Sequence, residues 1–486
     1  MWKKIALALM LLAFAGGVLT FSPACGALPT ATGNQDPSRP NVLLIITDDQ
    51  PLYSLEYMPI VQRELVQKGV NFSHAYVTTP LCCPSRSSIL TGLFVQNTGV
   101  LTNRPPNGGA PAFKKNDSTL GVWFQQAGYR TFMLGKYFNN IDMLPETFIP
   151  PGWDDYQIFW NRDKTYPNPS FFYGYHFNEN GKIVSYGDQP ADFSTDRLTQ
   201  LAMDFITNSG QEPFFIWLGY YAPHYPYGFP ERHKKLFTTD ADWKPHWPPN
   251  FLEEDRSDKP EWLRTWEPIS ADLAFDNQQE MLRSLISTDE GIGKIVDLLE
   301  KRKIRENTII IFLSDNGMAF GEYHLIAKDC PYDVCLQVPF VVSYPRLVSS
   351  PRTEDKFVLN IDIAPTLLEL ADLSISEELD GVSLAPLLKN PSTPWRDWFF
   401  FEHYRDTEAD DPSGLATILP SYWGIRSKEW KYVEYENGER ELYDLLKDPY
   451  EMQNLAGQSE YADWMSQLSE QLKPFRQKGE AANRPR

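Results

Sequence analysis

The chain has 486 residues, 42% of them hydrophobic and 22% charged, so it can bury a sizeable core and is neither a disordered chain nor a polytopic membrane protein. Its 45 Lys and Arg against 64 Asp and Glu leave a net charge of −19, which repels polyanions and argues against nucleic acid as a partner. Five cysteines in such a length exclude a disulfide framework as the main source of stability.

Lys3 and Lys4 followed by an apolar stretch over residues 5–21 have the layout of a secretory signal peptide, expected over residues 1–24, and imply an exported protein. Cys25 admits two readings: it follows a cleavage site after a small residue, or it is itself lipidated as in a bacterial lipoprotein. Residues 25–38, with their Pro, Thr, Ser and Gly, read as a linker. No later apolar run approaches the roughly 20 residues that span a bilayer.

The folded part begins with Val42, Leu43, Leu44, Ile45 and Ile46, ended by Thr47, Asp48 and Asp49. A short continuous apolar run with polar residues at its carboxyl end marks a strand buried on both faces. The design recurs at 131–134 before Gly135 and Lys136, at 214–218 before Ala222, Pro223 and His224, at 309–313 before Ser314, Asp315 and Asn316, and at 339–342. Amphipathic helix patterns lie between, clearest at Met281, Leu282, Leu285, Ile286, Ile292, Ile295, Val296 and Leu299. Alternating strands and helices predict a doubly wound, mostly parallel α/β sheet, whose ligands bind beyond the carboxyl ends of the strands. Residues 238–268, rich in Trp, Pro and charge, read as a surface excursion that could face a substrate. From about residue 395 the texture changes to short β pieces at 399–401, 423–426 and 430–435, an antiparallel sheet closed by a helix near 461–472.

Residues 82–92 run Cys, Cys, Pro, Ser, Arg, Ser, Ser, Ile, Leu, Thr, Gly. Pro84 suits a first helical turn and Gly92 a helix end, which puts Cys82 at a helix amino terminus. Free N–H groups and the helix dipole there favour an anion, and Arg86 adds positive charge one turn on. The Cys82–Cys83 pair has no second Cys or His pair at zinc spacing. Alone it would read as two inert buried thiols.

Cys82, Pro84, Ser85, Arg86, Leu90, Thr91 and Gly92 match the signature of the formylglycine-dependent (type I) sulfatases, which this chain resembles from about Arg39 to Leu455. The resemblance implies an alkaline-phosphatase-like fold, with a catalytic domain over 39–390 and a smaller C-terminal α+β subdomain over 391–486. It implies that Cys82 is oxidised by a formylglycine-generating or sulfatase-maturing enzyme to an aldehyde. Its hydrate offers one hydroxyl to attack sulfur and a second to expel sulfate. A sulfate monoester also calls for a hard divalent cation, usually calcium in this family, and the resemblance places it among Asp48, Asp49, Asp315, Asn316 and residue 82. Lys136 in the second signature, His224 and Lys328 are implied to bind sulfate, with His224 or Lys328 assisting the leaving alcohol. Arg86 balances charge.

Two departures stand out. The family often has a histidine two or three residues after the lysine matched by Lys136, where this chain has Phe138 and Asn139. Asn139 is the substitute expected in the substrate site. His324 lies one place later than the family's common Gly-Glu-His order. The stretch Gly135 to Asn139, with 149–153 after it, looks most like the branch acting on N-acetylglucosamine 6-sulfate and heparan sulfate. Asp362 reads as a helix or sheet-edge cap, and pairing of Cys330 with Cys335 is left open. A phosphate or phosphonate monoester hydrolase on the same scaffold is the near alternative, and a silent sugar-binding protein that keeps the Cys82 thiol is the distant one. The acidic surface favours small or terminal substrates over long sulfated chains.

Overall fold

A computed structural model describes residues 39–160, 171–239, 242–406 and 414–483; the expected leader, Cys25 and the linker lie outside them. The 42–46 run becomes the strand Asn41–Thr47, buried throughout. Successive side chains of a strand point to opposite faces. Val42, Leu44 and Ile46 accordingly join one hydrophobic cluster with Phe215, Trp217, Ile309 and Ile311, while Leu43 and Ile45 join another with Ile216, Leu218, Ile310 and Phe312. A strand with two apolar faces is stable only when both are covered. Helices Cys82–Thr91, Leu120–Gln126 and Ile363–Leu370 contribute to the first cluster. Ser194–Asn208 and the long helix Ala271–Lys301 contribute to the second.

Asn41–Thr47 sits between Phe214–Gly219 and Thr308–Ser314, parallel to both. Arg130–Gly135 and Asp155–Phe159 continue the parallel run beyond Phe214–Gly219. The carboxyl ends of the strands that precede Asp48, Lys136, His224 and Asp315 therefore lie along one edge. The ten-stranded sheet is completed on its flanks partly by antiparallel strands. One of these is Phe340–Ser343, antiparallel to Thr308–Ser314, so the 339–342 run departs from the repeated design and its carboxyl end points away from that edge. Hydrophobicity identifies a buried strand but carries no information about its direction.

The C-terminal strands Trp398–His403, Tyr422–Ser427, Trp430–Tyr435 and Arg440–Asp444 form a separate antiparallel sheet. One face packs through Phe399, Phe401, Tyr422 and Val433 onto Tyr76, Tyr332 and Leu336. The other receives Met465, Leu468 and Leu472 of the helix Ala462–Ala482, which extends well beyond the predicted segment. Cys330 and Cys335 are joined by a disulfide, which closes a short loop just after Lys328.

Candidate active site

Asp48 and Asp49 follow the central strand directly. In extended backbone they would diverge, but Asp49 adopts φ 62°, the left-handed region that Asp tolerates better than most residues. That turn lets both carboxylates face the same centre. Asp49 lies within reach of Lys328 Nζ, at 2.7 and 2.9 Å from its two oxygens. Asp48 Oδ1 stands 3.6 Å from Cys82 Sγ, and its Oδ2 accepts from Lys136 Nζ.

Cys82 is the first residue of its helix, Gly92 caps the other end at φ 71°, and both cysteines are buried. Lys328 Nζ donates to Cys82 Sγ at 2.9 Å. Burial pushes the Cys82 thiol well above its usual range, more than Lys136 and Lys328 can offset. Cys83 points away from this centre: its Sγ accepts from the Asn139 N–H at 3.0 Å and burial raises it to about 12. The two neighbours thus have different surroundings, and only Cys82 stands among the carboxylates and lysines.

Arg86, fully buried, donates through Nε to Asp315 Oδ2 at 2.7 Å and through Nη1 to the Lys136 carbonyl at 2.9 Å, tying two strand ends to the helix. Asp315 Oδ1 accepts the Asp49 N–H at 3.3 Å. Burial, reinforced by Asp48, raises Asp315 to about 6. Asp48 is driven the other way. Burial opposes its charge, yet Lys136, His224, Arg86 and Lys328 together hold it well below the usual carboxylate range.

His224 is oriented from behind. Its Nδ1 meets the Tyr225 carbonyl, which can only accept, so Nδ1 carries the proton in the neutral ring, and the Tyr221 hydroxyl lies 2.9 Å from the same nitrogen. Nε2 then faces Lys328 Nζ at 3.5 Å and Asp49 Oδ2 at 3.4 Å. Burial lowers His224 to about 4, leaving it neutral at ordinary pH. A cavity of about 380 Å³ opens over Lys136, His224 and Lys328, with Asn103, Asn139 and Tyr221 in its wall.

The structure thus brings Asp48, Asp49, Cys82, His224 and Lys328 into one cluster, with Lys136 on Asp48, Arg86 on Asp315, and Asn139 at the cavity wall. Tyr221 and Asn103 were not anticipated. Tyr221 could have been found as a hydroxyl three residues before His224 at a strand end, whereas nothing local distinguishes Asn103, whose Oδ1 accepts the Cys83 N–H at 2.9 Å. Asp362, by contrast, accepts the Leu359 N–H at 2.8 Å and pairs with Arg396, a supporting role.

The cluster also suits a divalent cation. Ligand atoms of Asp48, Asp49, Cys82 and His224 lie within 4.8 Å of one another. Asn316 donates through Nδ2 to Asp49 Oδ1 at 2.8 Å, while its buried Oδ1 has no hydrogen-bond partner. A buried amide oxygen without a donor is costly, and among carboxylates it has the chemistry of a hard-cation ligand.

A model of the sulfatase family matches residues 40–373. The chain belongs to the sulfatase family. It is the family of sulfuric ester hydrolases to which the 82–92 motif points, and a second model, the C-terminal part of N-sulphoglucosamine sulphohydrolase, matches residues 321–478. A Sulf-1 homologue of Caenorhabditis elegans, named as an extracellular sulfatase, is 35% identical over 75% of this chain, and the chain spans only 52% of that relative. An N-acetylglucosamine-6-O-sulfatase of Bacteroides thetaiotaomicron is 27% identical over 90% of the chain and 86% of the relative. Among solved structures, a protein in complex with its substrate D-glucosamine-2-N,6-O-disulfate has the same fold, with a TM-score of 0.77, 24% identity, and coverage of 92% of this chain and 99% of that one. Among the described residues no helix is long and apolar enough to cross a membrane.

Proposed function

We propose that this sulfatase hydrolyses sulfate monoesters on a sugar of the glucosamine 6-sulfate type, using residue 82 as nucleophile after its thiol is converted to formylglycine. The observation that carries the reading is the placement of Cys82, at a helix amino terminus between Asp48 and Lys328, within the motif of the family. An unmodified thiol fits this place poorly. Burial keeps it protonated, and a soft sulfur does not match an oxygen-rich cation site. An aldehyde hydrate would supply the oxygen that such a site wants. A formylglycine-generating or sulfatase-maturing enzyme is then the required partner, and the leader-like residues 1–24 together with an extracellular relative support export.

Asp48, Asp49, Asp315 and Asn316 would hold the divalent cation, calcium in the family pattern. When bound, it would act as a Lewis acid on the ester and on the oxygen of residue 82. The chain's own groups do the rest. The carboxylates of Asp48, Asp49 and Asp315 are balanced by Lys136, Lys328 and Arg86, so a divalent cation would leave the centre positive toward an anionic ester. Lys136 and Lys328 orient the sulfate, and the polar wall with Asn103 and Asn139 receives the sugar. Lys328 carries the proton that the leaving alcohol oxygen can take, and neutral His224 presents Nε2 to that ammonium.

Sulfate release from N-acetylglucosamine 6-sulfate, with and without a calcium chelator, tests the proposal alongside a matched phosphate ester and the intact mass of the peptide containing residue 82. Release that is sensitive to the chelator, with an aldehyde mass at residue 82, is the expected result. Faster turnover of the phosphate, or activity in protein whose Cys82 keeps its thiol mass, would overturn it.

A further inference from the structure

The reaction centre opens on two sides that differ in chemistry. The cavity already described sets Asn103, Lys136, Asn139 and Asp142 among aromatic walls such as Phe138 and Phe159. On the other side of His224, Tyr225 and Lys328 lies a second cavity of about 310 Å³, walled by Tyr227, Trp266, Ile269, Leu273 and Met318. His224 and Lys328 line both, so whatever occupies the second space touches the same reacting centre. Asp49 joins them at the inner end, and the outer walls are apolar and aromatic apart from the amide of Asn277.

The rim of this groove is held in place. Arg256 donates to the Trp266 carbonyl at 3.1 Å, and His324 Nδ1 stands 3.4 Å from the Ile269 carbonyl, which gives that displaced histidine a structural role. Leu273 remains 47% exposed and Tyr225 45%, a large apolar exposure on a helix start whose neighbours are charged. Residues 265–277 carry Glu267, Asp272 and Asp276, all exposed, and no Lys or Arg. Lys328, the cation of the lining, is already engaged by Asp49 and Cys82, so a sulfated or carboxylated group at the outer wall would meet like charge. The volume is near the lower end for ligand pockets, about 300 Å³, enough for one ring and not for a chain.

We propose that this groove binds the uncharged ring joined to the sulfated sugar, an aryl aglycone or an unsulfated sugar presenting its C–H face to Trp266 and Leu273. It would thereby select substrates whose neighbouring unit carries no sulfate. The idea deepens the sulfatase reading and rests on it for the identity of the sulfated sugar. It adds a substrate class, a sulfated sugar with an uncharged, apolar-faced neighbour, that the first cavity alone does not specify.

Calorimetric titration of the full-length Cys82→Ala protein, with N-acetylglucosamine 6-sulfate and with its 4-methylphenyl β-glycoside, tests it without turnover. The glycoside should bind about tenfold more tightly, the scale of one partly buried aromatic contact. In the same background Leu273→Asp, at an exposed position, and Trp266→Ala should bring the ratio of the two dissociation constants to about one. A ratio of one in the parent protein, or a ratio undiminished in both variants, overturns the proposal. Sulfate release by the wild-type protein from the same two ligands is read separately. A tenfold ratio without any release would uphold the groove and defeat the sulfatase reading.

Discussion

Two regions of this molecule bury clusters of opposite charge, and they are built for different ends. At the strand ends, Asp48, Asp49 and Asp315 face Lys136, Lys328 and Arg86. Beneath the C-terminal sheet, Asp333 takes Arg426 at 2.9 Å and Lys431 at 2.5 Å, Lys431 also meets Glu451, and Glu451 Oε2 accepts the Asp333 N–H at 2.7 Å. Both clusters balance. Among the described residues the second has no cysteine or histidine hydrogen-bonded to its ions; Lys431 adds a bond to the Pro331 carbonyl at 3.1 Å and Tyr76 donates to Asp333 at 3.2 Å. The first has a thiol and a histidine inserted between its ions and an unpartnered amide oxygen beside them. Buried charge alone is therefore weak evidence for chemistry; the reactive group set among the ions is the marker.

The comparison breaks first at Cys82. Cys82→Ala should lower kcat for sulfate ester hydrolysis by roughly 10⁶-fold, the scale of losing a covalent nucleophile, with the unfolding midpoint retained. Substantial residual turnover would return the strand-end cluster to the structural class. Lys431→Met should do the reverse. It leaves Glu451 without its cation and Asp333 with only Arg426, and breaking a buried pair by removing one partner costs about 3–5 kcal/mol. Urea unfolding measures that loss, while kcat of the folded enzyme should hold. If kcat collapsed and stability did not, the division between the two regions would be wrong.

Much of the site was legible because its parts are local patterns: apolar runs ending in Asp48, Lys136, His224 and Asp315, and a helix bounded by Pro84 and Gly92. What was not legible comes from backbone turns and long-range packing. That Asp48 and Asp49 both face Cys82 depends on the φ of Asp49, which no periodicity reveals. The Arg86 to Asp315 bridge joins residues 229 apart, and the reversed direction of Phe340–Ser343 follows from its connection, since its composition resembles that of its parallel neighbour. The 238–268 excursion read correctly as a surface segment near the centre in one respect, for Trp266 does line the second cavity.

A smaller effect separates the regions by pH. Glu402, on the first strand of the C-terminal sheet, accepts from the Tyr404 hydroxyl, and burial raises it from 4.5 to about 8. Because its folded value is raised, the folded chain holds more protons than the unfolded chain between those values. Its contribution is complete below pH 4.5, declines as pH rises, and is lost through pH 8. Glu402→Gln keeps the shape and removes the titration. Thermal midpoints measured from pH 4.5 to 9 should fall less steeply in the variant, and parallel curves would remove Glu402 from the account.

The finest test asks whether the C-terminal sheet only supports the centre or also sets it. Tyr422 donates to the Asp329 carbonyl at 2.6 Å, and Asp329, at φ 74°, follows Lys328 directly and precedes the Cys330–Cys335 loop. The Asp329 N–H in turn donates to the Pro80 carbonyl at 3.2 Å, two residues before Cys82. One hydroxyl thus steadies the backbone between the lysine and the loop that leads to the nucleophile. Tyr422→Phe keeps the ring packed and should cost about 1 kcal/mol of stability. A positioning role predicts more than that: kcat lowered about three- to tenfold at temperatures well below unfolding. An unchanged kcat with the same stability loss would make the hydroxyl purely structural, and the lysine would then owe its place to its side-chain partners Asp49 and Cys82.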